Sequence, residues 1–303
     1  MANNAPLVFP DANPATRGIA QIKVLPTTEF DAYWDSIFVD DSTKTQLLNQ
    51  AVLSFTLRKL QSPKFPLHGI IILHGPPGTG KTSLARGCAS QVAKVFQKKF
   101  TYVEIDPHAL GSAALGKTQK AVTDLFGTTL VELSAKDPVI VLLDEVETLA
   151  ASRQRLSLEA NPIDVHRATD AVLTQVDRLA HDNANLLFLA TSNFLEALDN
   201  AFLSRADLDL FIDLPATAAR KSIITDVLEE LARHYPKLKC LIDATLVNEL
   251  AVASKGFDGR RLRKSLLAAL ALDRDVALKP EKLTAGHLRR MFQSAPQNKG
   301  YRI

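Results

Sequence analysis

Residues Gly75 to Thr82 read Gly-Pro-Pro-Gly-Thr-Gly-Lys-Thr, directly after the apolar run Ile70-Ile71-Ile72-Leu73 and directly before a helical pattern that opens at Ser83. The spacing Gly-x4-Gly-Lys-Thr between a strand and a helix is a complete phosphate-binding loop. Its glycines let successive backbone N–H groups converge on phosphate oxygens, Lys81 reaches the β- and γ-oxygens, and the Thr82 hydroxyl is placed to ligate Mg²⁺. Gly75, Pro76, Pro77, Gly78, Thr79, Gly80, Lys81, Thr82 and Ser83 are therefore the expected contacts of a nucleotide, with ATP and Mg²⁺ as the implied ligands.

A loop of this kind needs a parallel sheet behind it, and the rest of the chain supplies one. Four further short apolar runs lie at about Thr101–Ile105, Val139–Leu143, Leu186–Ala190 and Leu210–Leu214, separated by segments of helical period. Strands alternating with helices predict an α/β fold with a parallel five-stranded sheet covered on both faces. Before the first strand, Leu47, Leu48, Ala51, Val52, Phe55 and Leu57 follow helical spacing over Thr43–Leu60. Beyond Pro215 strand-like runs stop and four helical segments follow, about Thr217–His234, Thr245–Ala253, Arg260–Ala277 and Thr284–Phe292. The expected organisation is an N-terminal arm over 1–34, a large domain over 35–215 and a small all-helical lid over 216–303. The first 28 or so residues, rich in Ala, Asn, Pro and Thr, read as an extended arm without structure of their own.

Two carboxylates end the third of these strands. Val139-Ile-Val-Leu-Leu-Asp-Glu places Asp144 to hold the Mg²⁺ shell and Glu145 to polarise an attacking water. The fourth strand runs Leu186-Leu-Phe-Leu-Ala-Thr-Ser-Asn, so Asn193 emerges at the same carboxyl edge, where it can bond the γ-phosphate or the water.

Composition narrows the class further. The chain has 303 residues, 46% of them hydrophobic and 23% charged, which suits a globular protein of about two domains. Thirty-six basic residues against 33 acidic ones leave a net charge of only +3, and no basic stripe is interleaved with aromatics, which argues against nucleic acid as a partner. Cys88 and Cys240 stand far apart outside any zinc spacing, the N-terminus lacks a signal pattern, and no run of about 18 apolar residues occurs. A reduced, cytoplasmic protein without a membrane partner is the expectation.

In this order, the phosphate loop, the acidic strand end and Asn193 resemble the AAA+ ATPases over residues 35–290. The resemblance implies three further roles. Arg205, in Asp199-Asn-Ala-Phe-Leu-Ser-Arg-Ala-Asp, falls where ring-forming ATPases carry an arginine finger that reaches the neighbouring subunit's nucleotide. Arg260, in Gly256-Phe-Asp-Gly-Arg-Arg-Leu-Arg-Lys, falls where a second sensor touches the γ-phosphate from the lid, while Arg261, Arg263 and Lys264 read as a basic face that is solvated or binds an acidic partner. Asn193 takes the place of the first sensor.

Finer detail points to one branch. Leu25-Pro-Thr-Thr-Glu-Phe-Asp-Ala-Tyr-Trp-Asp-Ser-Ile-Phe, Asp144-Glu-Val-Glu-Thr-Leu, Ala171-Val-Leu-Thr-Gln-Val-Asp and Ser204-Arg-Ala-Asp look like the pachytene checkpoint AAA+ family. That resemblance implies a homohexamer that uses ATP to convert HORMA-domain clients from a closed, peptide-clasping state to an open one. Only about 34 residues precede Trp34-Asp-Ser-Ile-Phe, where eukaryotic relatives carry a folded adaptor-binding domain; the short segment suggests a bacterial member that regulates a HORMA and nucleotide-cyclase antiphage system. The pore loop departs from the family's aromatic and apolar pair. Here it reads Ser112-Ala-Ala-Leu-Gly-Lys, so Leu115, followed by Gly116, is the only large apolar side chain, and the grip on substrate is weaker or is shared with the loop Arg153–Asn161. The same ATPase parts would serve a clamp or helicase loader, the alternative that near-neutral charge disfavours. A protease is set aside because no His-Glu-x-x-His motif is present.

Overall fold

A computed structural model describes residues 18–62, 64–106, 124–148, 175–176, 178–179 and 182–294. Contacts divide the described chain into two units. The first holds residues up to Trp34, Asp41–Gly75 and Lys81–Phe211; the second holds Asp35–Asp40, Pro76–Gly80 and the residues from Ile212 onward.

The first unit is built on a six-stranded sheet: β1 (Ile19–Leu25), β2 (Ile70–His74), β3 (Phe100–Ile105), β4 (Val139–Leu143), β5 (Leu186–Ser192) and β6 (Leu208–Phe211), in the spatial order β1-β3-β4-β5-β2-β6. All neighbours are parallel except β1 and β3. Every residue of β4 and β5 is buried, as a strand covered on both faces requires. On one face Phe126 stacks on Phe188 with ring centroids 5.9 Å apart, beside Val103, Val141 and Phe202. Helices α1 (Thr28–Ser36), α2 (Asp41–Leu57), α3 (Lys81–Phe96), α4 (Leu130–Lys136) and α5 (Asn200–Leu203) accompany the strands.

The five-stranded parallel sheet expected from the sequence is thus one strand short. The extra strand is antiparallel β1, inside the segment read as an unstructured arm, and α1 begins there too. Two physical features hid it. An edge strand is buried on little of its surface, so its side chains alternate weakly; and the register shifts between Ile19 and Gln21, which breaks the period of two.

The second unit contains α6 (Thr217–His234), α7 (Ala244–Ala253), α8 (Gly259–Ala268), α9 (Arg274–Leu278) and α10 (Ala285–Ser294). Its core gathers Ile224, Leu228, Leu250, Leu262 and Leu288, with Phe257 stacked on Phe292 at 6.1 Å, and Phe38 packs against it from the segment ahead of α2. The helix expected over Arg260–Ala277 is interrupted. Asp273 takes an extended conformation and accepts the Asp275 N–H at 2.7 Å, so its backbone ends one helical run and its carboxylate caps the next.

At the foot of β2, Gly69 has φ +71° and an added Cβ would lie 2.2 Å from Arg58 Nη1 and 3.1 Å from the Leu186 carbonyl. Only glycine meets both demands. Gly69→Ala should lower stability by about 1 to 3 kcal/mol, read as a shift in the denaturant midpoint.

Candidate nucleotide site

Strand β2 stops at His74 and α3 starts at Lys81, so the six residues between them form the turn that the motif predicts. Gly75 and Lys81 cluster with the first unit, Pro76–Gly80 with the second.

In the first unit five of the expected residues bond one another in two groups. The Lys81 side chain is buried, and its ammonium donates to the Gly75 carbonyl at 2.8 Å and to Asn193 Oδ1 at 2.9 Å. Thr82 Oγ1 donates to Asp144 Oδ1 at 2.8 Å. Hydroxyl and carboxylate oxygens are the donors a hard divalent cation prefers, and here two of them converge, so the residues present fit Mg²⁺. Ser83 follows in the first turn of α3.

Glu145 stands exposed just past β4 with φ +50°, a left-handed conformation that costs a non-glycine residue about 1 to 2 kcal/mol. Its backbone N–H donates to Thr191 Oγ1 at 3.0 Å, and the same hydroxyl donates to Asp144 Oδ1. The threonine therefore ties the two acidic residues to β5. Strain at such a position persists only where neighbours over-determine it. Two residues further on, Glu147 Oε1 accepts the Asn193 N–H at 3.1 Å, while its Oε2 is buried and finds no hydrogen-bond partner among the described residues.

Thr191 and Glu147 escaped the sequence reading. Thr191 carried a usable signal: it lies two residues before Asn193 near the end of one strand, and side chains two apart share a face. Glu147 lay in the Asp144-Glu-Val-Glu run, but nothing in a sequence says that its carboxylate meets the backbone of a residue 46 positions later.

His74 closes β2 with its ring 5.3 Å from that of Phe211, and burial pulls its pKa below the ordinary value. An imidazole so placed stays neutral near pH 7 and adds no competing cation beside Lys81.

The second unit contributes the middle of the loop. Thr79 Oγ1 donates to the Pro76 carbonyl at 2.9 Å. Asp258 caps α8, its Oδ1 accepting the Arg261 N–H at 2.8 Å, and the Arg260 N–H donates to the Gly78 carbonyl at 3.1 Å. Gly78 has φ +80°, and a Cβ there would fall 2.2 Å from Asp258 Oδ1, so the loop and the head of α8 touch through a position that excludes any side chain. The Arg260 side chain is exposed. Arg261 lies over the Phe257 ring at 3.8 Å, and Arg263 donates to the Ser36 carbonyl at 2.6 Å and to Asp226 at 3.2 Å; these two serve packing rather than a solvated face alone.

Arg205 is half-buried in the turn after α5, its guanidinium folded back to donate to the Ala201 carbonyl. Leu115, Gly116 and the loop Arg153–Asn161 lie outside the described residues. Among the described residues no helix is long and apolar enough to cross a membrane.

A phosphate loop between β2 and α3, an acidic strand end and a polar residue at the tip of β5 define a phosphate-loop ATPase of the AAA type. The family model described as "ATPase family associated with various cellular activities (AAA)" matches residues 71–214. CD-NTase-associated protein 6 of Pseudomonas aeruginosa is 52% identical over 283 residues, covering 93% of each chain. The human pachytene checkpoint protein 2 homolog is 35% identical over 274 residues, 82% of this chain and 63% of that protein, so the chain spans somewhat less than two thirds of that relative. The chain belongs to the pachytene checkpoint family of AAA ATPases. The fold agrees with a chain of the solved E. coli MS115-1 HORMA:CdnC:Trip13 complex, at a TM-score of 0.77 and 20% identity over 92% of this chain and 95% of that one.

Proposed function

We propose that the chain is the subunit of a homohexameric ring that uses ATP to open or take apart complexes of HORMA-domain proteins. It would act in the bacterial cytoplasm as a negative regulator of a HORMA and nucleotide-cyclase antiphage system. The observation that carries this reading is the 52% identity to CD-NTase-associated protein 6 over 93% of both chains, which takes in the nucleotide site and the helical unit alike.

In this reading the loop Gly75–Lys81 and the Lys81 ammonium hold the β- and γ-phosphate oxygens. The ammonium gives up two neutral acceptors, Gly75 and Asn193, for anionic ones, and charge-assisted hydrogen bonds are roughly twice as strong. That exchange frees Asn193 Oδ1 for the γ-phosphate or the attacking water. Thr82 and Asp144 would hold Mg²⁺, which neutralises charge on the phosphate oxygens when bound. The Glu145 carboxylate polarises the water and accepts its proton, Arg205 stabilises charge at the neighbouring subunit's site, and Arg260 contacts the γ-phosphate.

The test is ATPase rate with and without a HORMA-domain protein, and separately with DNA. Stimulation by the HORMA protein alone supports the reading; stimulation by DNA alone moves the chain to the clamp-loader or helicase-loader class. On the same preparation, Leu115→Ala should leave hydrolysis near the wild-type rate and disable remodelling, because one leucine buries enough apolar surface for about 1.5 to 3 kcal/mol of transient grip. Full remodelling by that variant would place the grip elsewhere, with Arg153–Asn161 the next segment to change.

A further inference from the structure

The head of β6 carries a polar clamp that the reaction above does not use. Asp207 has a side chain 1% exposed, and each of its carboxylate oxygens accepts one backbone amide: Oδ1 from His68 at 2.8 Å, Oδ2 from Gly69 at 2.7 Å. Its own N–H donates to the Ile70 carbonyl at 2.8 Å. One residue thus grips three consecutive residues at the start of β2, the strand whose other end delivers the phosphate loop. Arg58, largely buried, lies close enough for its charge to act on Asp207, and donates to the Leu186 and Asn183 carbonyls of the neighbouring strand and its approach.

The carboxylate is costly here. Burial pushes its pKa up, against the pull of the two amides and of His68 and Arg58. An amide of the same shape is no substitute, because two convergent N–H donors need two acceptors and an asparagine offers one acceptor and one further donor.

What the clamp holds is the base of Arg205. From Phe202 onward the chain makes a tight turn, with the Arg205 N–H on the Phe202 carbonyl and the Ala206 N–H on the Leu203 carbonyl, both at 3.1 Å, and Asp207 follows at once. The arginine is therefore fixed on one side by the end of α5 and on the other by β2. We propose that Asp207 is a positioning residue for Arg205: by holding the two amides at the head of β2, it sets where the arginine leaves the sheet. This inference rests on the reading of Arg205 as a finger that acts on the neighbouring subunit.

Mixed rings test both and separate them. Lys81→Ala subunits lack a working nucleotide site but keep an intact finger, whereas Arg205→Ala subunits are the reverse. Their mixture should recover part of the ATPase activity. If it does not, although mixed rings form, the trans role of Arg205 fails and the inference falls with it. Asp207→Asn alone should bind a fluorescent ATP analogue within about twofold of wild type and lose about 10- to 100-fold in kcat, the size expected from misplacing a catalytic group by an ångström. Mixed with Lys81→Ala it should recover activity as Arg205→Ala does; mixed with Arg205→Ala it should not recover. Recovery with Lys81→Ala in the Arg205→Ala mixture but not in the Asp207→Asn mixture would show damage to the variant's own site, and would overturn the positioning role. Should Asp207→Asn fail to fold, Asp207→Ser, which keeps the backbone bond to Ile70 and one acceptor, takes its place. Failure of both to yield folded, nucleotide-binding protein would reduce the clamp to a structural one and also overturn the proposal.

Discussion

Arg205→Ala should leave ATP affinity unchanged and lower kcat by about 10³-fold or more, the effect of losing an arginine that stabilises charge on a transferring phosphoryl group. The expectation follows from separation of tasks. In the first unit Lys81 bonds Gly75 and Asn193 while Thr82 bonds Asp144, and the Arg205 guanidinium folds instead onto the Ala201 carbonyl of its own turn. Equilibrium binding of a fluorescent ATP analogue and steady-state ATPase rate, taken on assembled protein, decide it. Loss of affinity equal to the loss of kcat/KM would make Arg205 a ground-state contact.

Glu145→Gln should bind ATP as wild type does and hydrolyse it about 10²- to 10⁴-fold more slowly, as expected for removal of a general base. Glutamine keeps the size, the exposed position and the N–H bond to Thr191, and removes the proton acceptor. Client should accumulate on this variant, and co-purified protein identifies it. Glu145→Gly tests the backbone separately: it relieves φ +50° and should be as inactive as the glutamine variant, yet more stable by a fraction of the left-handed cost of about 1 to 2 kcal/mol. Hydrolysis by Glu145→Gln at the wild-type rate would remove Glu145 from the chemistry.

Much of this architecture was legible from local pattern. Strands β4 and β5 are fully buried runs and β2 is buried up to its last residue, and α6 spans Thr217–His234 as its apolar spacing indicates. The turn between β2 and α3 was legible for the same reason, since backbone geometry there dictates residue type within eight positions. What escaped depends on pairing across long sequence distances. Strand β1 takes its reason to be extended from β3, about 80 residues away, and Asp207 takes its reason to be charged from two amides near residue 68. Asp207 was read only as part of a motif containing Arg205. Its neighbours in space, not its neighbours in sequence, explain it.

Strand β1 also bears on how the protein is best shortened. Along Phe100–Ile105, β3 bonds β4 on one side and β1 on the other. A fragment begun at Thr28, chosen because the motif-bearing sequence starts nearby, would strip that second partner and leave a row of unsatisfied amides and carbonyls beside the buried Phe100, Tyr102 and Val103. An open edge of this kind recruits strands from other copies. Such a fragment should retain every residue of the nucleotide site and still precipitate, and aggregation on truncation would then report the loss of a seal rather than of a fold.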